Sequence, residues 1–120
     1  MKVTTVDVLS KVDNLCPNNY TRQQKQDWLY TAEAQIRDFA AMYTEDDADK
    51  SFVQLHNATL TLEQTDMDIY VHYVLSMIHM ANNDIAMYNN HTAMFNTLML
   101  DWQKKHRRSN TPPRNTCITY

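Results

Sequence analysis

Apolar positions recur at helical spacing in four stretches of the chain. In residues 5–13 Val8, Leu9 and Val12 fall on one side, predicting a short helix. Cys16-Pro17-Asn18-Asn19 reads as a turn, since proline disfavours helix at the residue before it. Thr21 opens a second helix with a capping box, Thr21-Arg22-Gln23-Gln24, in which each end residue can satisfy the other's amide. Trp28, Leu29, Ala32, Ile36, Phe39, Ala40 and Tyr43 then form a single apolar stripe. Residues 44–63 break this rhythm. Their acidic start, TEDDADK, predicts a solvated loop, and SFVQLHNATLTLE allows a short strand or hairpin.

The third helix is capped by Thr65 or Asp66 and is expected to run to about Tyr88. Tyr70, Tyr73, Val74, Met77, Ala81 and Tyr88 lie along its centre line. Val71, Ile78 and Ile85 widen the apolar arc on one side, and Ile69, Met80 and Met87 widen it on the other. The arc spans about 200°, twice the stripe of an ordinary surface helix. Such a helix is covered from two directions: it is central in a bundle, or it packs on its own subunit and on another. Asp68, His72, Ser76, His79 and Asn83 form the polar strip opposite. Asp84 falls inside the arc, either at its exposed end or paired with a cation or a tyrosine hydroxyl; the cost of an unpaired buried carboxylate favours pairing.

The apolar spacing stops at Asn89-Asn90-His91 and resumes at Ala93. A helix end commonly needs a residue with positive φ, and this chain has no glycine. Asn89 or Asn90 is the natural substitute, with Thr92 or His91 capping a fourth helix. Its stripe is Met94, Phe95, Leu98, Met99 and Trp102, and Leu100 lies off it, a candidate contact between subunits. After His106 the pattern ends, and Pro112-Pro113 favour extended geometry. The expected fold is all-α: a small bundle of about four helices over residues 1–106, with a long loop or short hairpin between helices 2 and 3. Residues 107–120 form an extended basic tail.

Composition narrows the function. One domain with one core is the expectation for 120 residues. No apolar run approaches a membrane span, and the start, MKVTTVDVLS, lacks a signal peptide's apolar stretch, so a cytoplasmic site of synthesis is expected. Cys16 and Cys117 are then expected to be free thiols. Net charge is −3 but unevenly placed. Residues 1–103 carry all 14 acids against six cations, a balance of −8, while Lys104, Lys105, Arg107, Arg108 and Arg114 make the end +5. An acidic body with a basic end points to two different neighbours, although cations also suit a helix C-terminus.

No glycine-rich, zinc-ligand or hydrolase motif is present. His72 and His79 share a face but are seven residues apart, too far to hold one metal. Asp68 and His72 have i, i+4 spacing, best explained by a surface hydrogen bond or ion pair. The chain reads as a non-enzyme with no cofactor. Six of its eight methionines fall in residues 67–99, which fits core filling or an adaptable docking surface.

Residues 68–108, DIYVHYVLSMIHMANNDIAMYNNHTAMFNTLMLDWQKKHRR, resemble the C-terminal half of head–tail connector (adaptor) proteins of tailed bacteriophages. The matching motifs are Asp68-Ile69-Tyr70, Ala81-Asn82-Asn83-Asp84, Tyr88-Asn89-Asn90 and Ala93-Met94-Phe95-Asn96, followed by a basic end. VDVLSKVDNLCPNNYTRQQKQDWL is similar to that family's start. The chain departs from the family pattern at Asn83, where glycine is expected, and in its proline-containing end.

The resemblance implies a homo-oligomeric ring, typically a dodecamer, in the virion at the head–tail junction. Such a ring sits under the portal protein, extends the channel for double-stranded DNA, and receives the stopper or tail-completion protein. It implies no sequence-specific DNA binding, no membrane and no catalysis. Lys104, Lys105, Arg107, Arg108 and Arg114 are the implied portal-docking tail, and Val71, Ile78, Ile85 and Leu100 the candidate contacts between subunits. Two other readings are a helical protein-interaction module, serving as regulator or scaffold, and a nucleic-acid binder using the basic end.

Overall fold

A computed structural model describes residues 2–41 and 59–110. Four helices and one two-stranded ribbon make up this part of the chain. The elements are β1 (Lys2–Thr4), α1 (Thr5–Leu15), α2 (Arg22–Ala41), β2 (Thr59–Glu63), α3 (Met67–Ala81) and α4 (Ile85–Asn110). A single 3-10 turn, Gln64–Asp66, leads from β2 into α3.

Local chemistry places the helix starts. Thr4 caps α1 in a reciprocal box: its hydroxyl accepts from the Asp7 amide, and the Asp7 carboxylate accepts from the Thr4 amide. The box expected at Thr21 is present at the start of α2, with the Gln24 amide and the Thr21 hydroxyl 3.1 Å apart and the return bond also 3.1 Å. The helix dipole of α1 gains further from Asp7 in its first turn.

The strand allowed in residues 51–63 appears as β2, but not in a local hairpin. It pairs antiparallel with β1 from the other end of the sequence, with an irregularity between Lys2 and Thr4. Val3, Leu60 and Leu62 of this ribbon point into the core. The expected acidic loop, residues 44–50, lies with the rest of residues 42–58 outside the described residues.

The core gathers around α3. Val8, Leu9 and Val12 reach it from α1, Leu29, Ala32 and Ile36 from α2, and Phe95, Met99 and Trp102 from α4. This resolves the broad apolar arc: α3 is the central helix of a bundle and is covered by its own chain. Val71 and Ile78 are therefore core residues, 1% and 0% exposed, not contacts between subunits. The middle of the polar strip is also covered, although Asp68 and Asn83 at its ends are exposed. Ser76 is buried with its hydroxyl donating to the Tyr73 carbonyl at 2.6 Å, and His72 and His79 face α4.

Two features lie where the pattern did not put them. The α3–α4 corner is at Asn82–Asp84, not at Asn89–Thr92, and the helix runs unbroken through YNNHTAMFN. The fourth helix also continues past His106 to Asn110. Residues 111–120, with Pro112, Pro113, Arg114 and Cys117, lie outside the described residues.

Candidate interaction surface

The corner sets how α4 is presented. Asn83 has φ of 63°, the left-handed conformation that asparagine tolerates better than most residues. The Asp84 amide donates to the His79 carbonyl at 2.8 Å, and the Asn83 amide to the Met80 carbonyl at 3.0 Å. These two bonds define a Schellman end for α3. Asp84 then starts α4, its Oδ1 accepting from the Met87 amide at 3.2 Å and its carbonyl from the Tyr88 amide at 2.9 Å. So Asp84 sits at the exposed end of the apolar arc as a helix cap, 3.8 Å from His79 Nδ1. Tyr20, from the α1–α2 turn, donates its hydroxyl to Asn82 Oδ1 at 2.6 Å and ties the corner to the rest of the bundle.

From this corner α4 leaves with little cover. None of residues 85–94 is buried; Tyr88, His91 and Thr92 are half-buried. The core stripe begins at Phe95 and continues through Met99 and Trp102. Ile85, Met87, Met94 and Leu100 are exposed large apolar residues on this one helix. At about 100° per residue they divide into two flanks of the Phe95 line. Met87 and Met94 lie about 80–100° to one side, and Ile85 and Leu100 about 80–140° to the other. Of the four candidate subunit contacts, Ile85 and Leu100 are thus on the surface, 58% and 56% exposed, while Val71 and Ile78 are not. The signal for Met87 and Met94 was the methionine cluster itself, whose members divide: Met99 fills the core, and Met80, Met87 and Met94 are exposed.

The last turns of α4 carry the cations. Lys104, Lys105, Arg107 and Arg108 are all exposed; Lys104, Arg107 and Arg108 fall on the arc away from the core, and Lys105 on the flank of Met87. Lys105 reaches back to Asp66 at the start of α3, 3.6 Å away. Its lysine faces solvent, and at this distance the pair contributes little to stability. His106, on the inner side, packs against Trp102 and Phe39 with ring centroids 5.1 and 5.9 Å apart. Four cations near a helix C-terminus are favoured by the dipole. Arg114 lies outside the described residues.

Among the described residues, the one fully buried carboxylate has a different character. Glu33 on α2 is 0% exposed and accepts from the Thr61 amide, the Thr61 hydroxyl, the Tyr70 hydroxyl and Arg37 Nε. Burial, and then the Glu33 charge, pushes the Tyr70 phenol far above its ordinary value. These donors converge on a carboxylate that is itself closed to solvent, so this network clamps β2 to α2 and α3. Asp68 and His72 do not pair as expected: Asp68 binds Lys11 of α1 at 2.8 Å, and His72 meets His91 of α4. Among the described residues no group of three or more histidines, cysteines or carboxylates is arranged to hold a metal, and no helix is long and apolar enough to cross a membrane. Compared with protein-family models, curated proteins and solved structures, the chain matches none.

Proposed function

We propose that this chain is a structural head–tail adaptor of a tailed bacteriophage, forming a ring beneath the portal through which double-stranded DNA passes. The observation that carries the reading is α4. It is a 26-residue helix with apolar side chains on two opposite flanks and four cations on its last turns. A closed ring is built from a heterologous contact, in which one patch of a protomer meets a different patch of the next. Two distinct apolar flanks on one helix supply such a pair, whereas a two-fold dimer would need only one. The cations at the far end suit docking on an acidic groove of the portal. The acidic balance of residues 1–103 suits a lumen along which DNA slides without binding.

The corner adds support. The family pattern has glycine where this chain has Asn83, and among the described residues Asn83 is the one with positive φ. The backbone there has the geometry that glycine adopts most readily. In contrast, the wide apolar face of α3 no longer argues for neighbouring copies, because α1, α2 and α4 cover it.

Electron microscopy of the protein mixed with its portal tests the reading. Rings coaxial with the portal are expected. A chain that stays monomeric and ignores portals overturns it. The second reading, a helical interaction module, is favoured by the same exposed stretch of α4 and gives one-to-one complexes without rings.

A further inference from the structure

Three histidines from two helices meet where the first half of α4 crosses α3. His72 Nδ1 and His91 Nδ1 are 3.0 Å apart, with ring centroids at 5.2 Å. His79, seven residues after His72, stacks on His91 at 5.3 Å with an interplanar angle of 3°. All three rings are half-buried. His91 thus stands between two histidines of the facing helix.

A close contact between two Nδ1 atoms needs a proton on one and a lone pair on the other. A neutral pair satisfies this, and so does a pair with one imidazolium. Two imidazolium rings do not: two N–H donors would face each other across 3.0 Å, with a positive charge on each side. The surroundings offer limited relief. Asp68 favours charge on His72, but it is bound to Lys11 of α1, which opposes that charge. Asp84 lies by His79, and the groups acting on His91 are His72 and His79 themselves.

The contact is placed where α4 has little else to hold it. Between the corner and Phe95 only Tyr88, His91 and Thr92 turn inward, and none is fully buried. We propose that His72 and His91 form a proton-controlled latch, which holds residues 85–94 against α3 while at least one ring is neutral and releases them when both are charged. Its output is the presentation of Ile85, Met87 and Met94, the exposed apolar residues of that segment. A metal is the weaker occupant of the site, since the His79 ring lies parallel to His91 and no third ligand converges.

Burial holds both rings below the ordinary histidine value of 6.5, and on His91 the neighbouring histidines add to the effect. The latched state therefore binds fewer protons than the released one, and its stability falls as the pH drops below 6.5.

The test is an imidazole NMR titration of the full chain, paired with amide exchange of residues 85–94 corrected for intrinsic rates. The expected result is two coupled steps for His72 and His91, separated by about one pH unit or more. Exchange in 85–94 should rise about tenfold across the lower step, while exchange around Phe95–Trp102 changes little. In His72→Gln the amide can face His91 in either protonation state, so the acid-dependent opening should vanish and His91 should titrate in one step at higher pH. His91→Gln should remove the opening in the same way. Independent titration of the two rings overturns the latch, as does unchanged acid-dependent opening in either variant. Stabilisation of the wild type by zinc ions at neutral pH, lost in His72→Gln, would assign the pair to a metal and also overturn it.

Discussion

The Tyr70 hydroxyl donates to Glu33 Oε1 at 2.5 Å, joining two helices through residues 37 positions apart in the chain. The same hydroxyl accepts from the Leu62 amide at 3.2 Å, so one phenol fixes α2, α3 and β2 together. Glu33 is unexposed and accepts from Arg37 on its own helix, from Thr61 of β2 and from Tyr70 of α3. Removing it leaves the Thr61 amide and hydroxyl without this buried acceptor. Glu33→Ala should cost about 3–5 kcal/mol, in the range for breaking a buried pair by removing one partner. Tyr70→Phe removes a single hydroxyl and should cost about 1–3 kcal/mol. Urea denaturation of both variants checks the order; a loss of under about 0.5 kcal/mol for Glu33→Ala, as at an ordinary surface position, would contradict the clamp.

Two Asn-Asn pairs compete for the role of corner, and the structure assigns it to Asn82-Asn83. Asn83→Ala places a Cβ in the left-handed region and should cost about 1 kcal/mol, while Asn83→Gly should be neutral or stabilising. Asn90 lies on the exposed side of continuous helix, so Asn90→Ala should stabilise by roughly 0.5 kcal/mol through helix propensity. Thermal melts of the three variants distinguish the corners, since a break at Asn90 would reverse the signs at the two sites.

The stripes of α1 and α2 were legible because each faces the core with one apolar side: Val8, Leu9 and Val12, then Leu29, Ala32 and Ile36. The breadth of the α3 face was also legible, but its cover was not, since α1, α2 and α4 reach it by folding back from distant positions. The corner was misplaced by several residues for a definable reason. Tyr88 continues the apolar arc of α3 past Asn83, so spacing alone carries the helix through the turn. The exposed Asn89 and Asn90 then imitate a break. What marks the true corner is the sequence Asn-Asn-Asp, in which the last residue can cap the next helix. β1 carries too few residues to show a period and pairs with a strand some 60 positions away. His91 was missed for the same long-range reason: its partners lie on α3, and they meet it only once the corner is correctly placed.

Acidification should weaken the fold in two stages. The first comes from His72, His91 and His106, all held below 6.5 by burial, so protons favour the unfolded chain as the pH falls past that value. The second comes from Asp7. The Thr4 amide, and then the Gln64 side chain, hold its carboxyl below the ordinary 3.8. A depressed carboxylate adds stability above 3.8 and loses it as the pH drops below that value through the lower native one. Melting curves from about pH 3 to 8 should show both stages. Thr4→Ala breaks the capping box and should cost about 1 kcal/mol at neutral pH while shrinking the second stage. A stability profile flat between neutral pH and about 4 would remove the histidine contribution.

The adaptor reading makes different demands on the two ends of α4. Met94→Lys and Leu100→Lys each put a charge on one apolar flank without touching the core. Both should leave the melting curve within about 0.5 kcal/mol of wild type, as surface substitutions do. Both should abolish ring formation with the portal, because a heterologous contact fails when either half is spoiled. Mixing the two variants should restore pairs but not rings, since each pair uses the one intact flank of each protein. Val71→Lys should unfold the chain instead, as expected for an unpaired charge at a core position. At the far end, His106 is the last residue of α4 shown to pack on Trp102 and Phe39. Deleting residues 107–120 should therefore keep the bundle and most of its circular dichroism, and abolish portal docking with the loss of Arg107, Arg108 and Arg114. Retained docking by that truncated chain would take the portal contact off Arg107, Arg108 and Arg114.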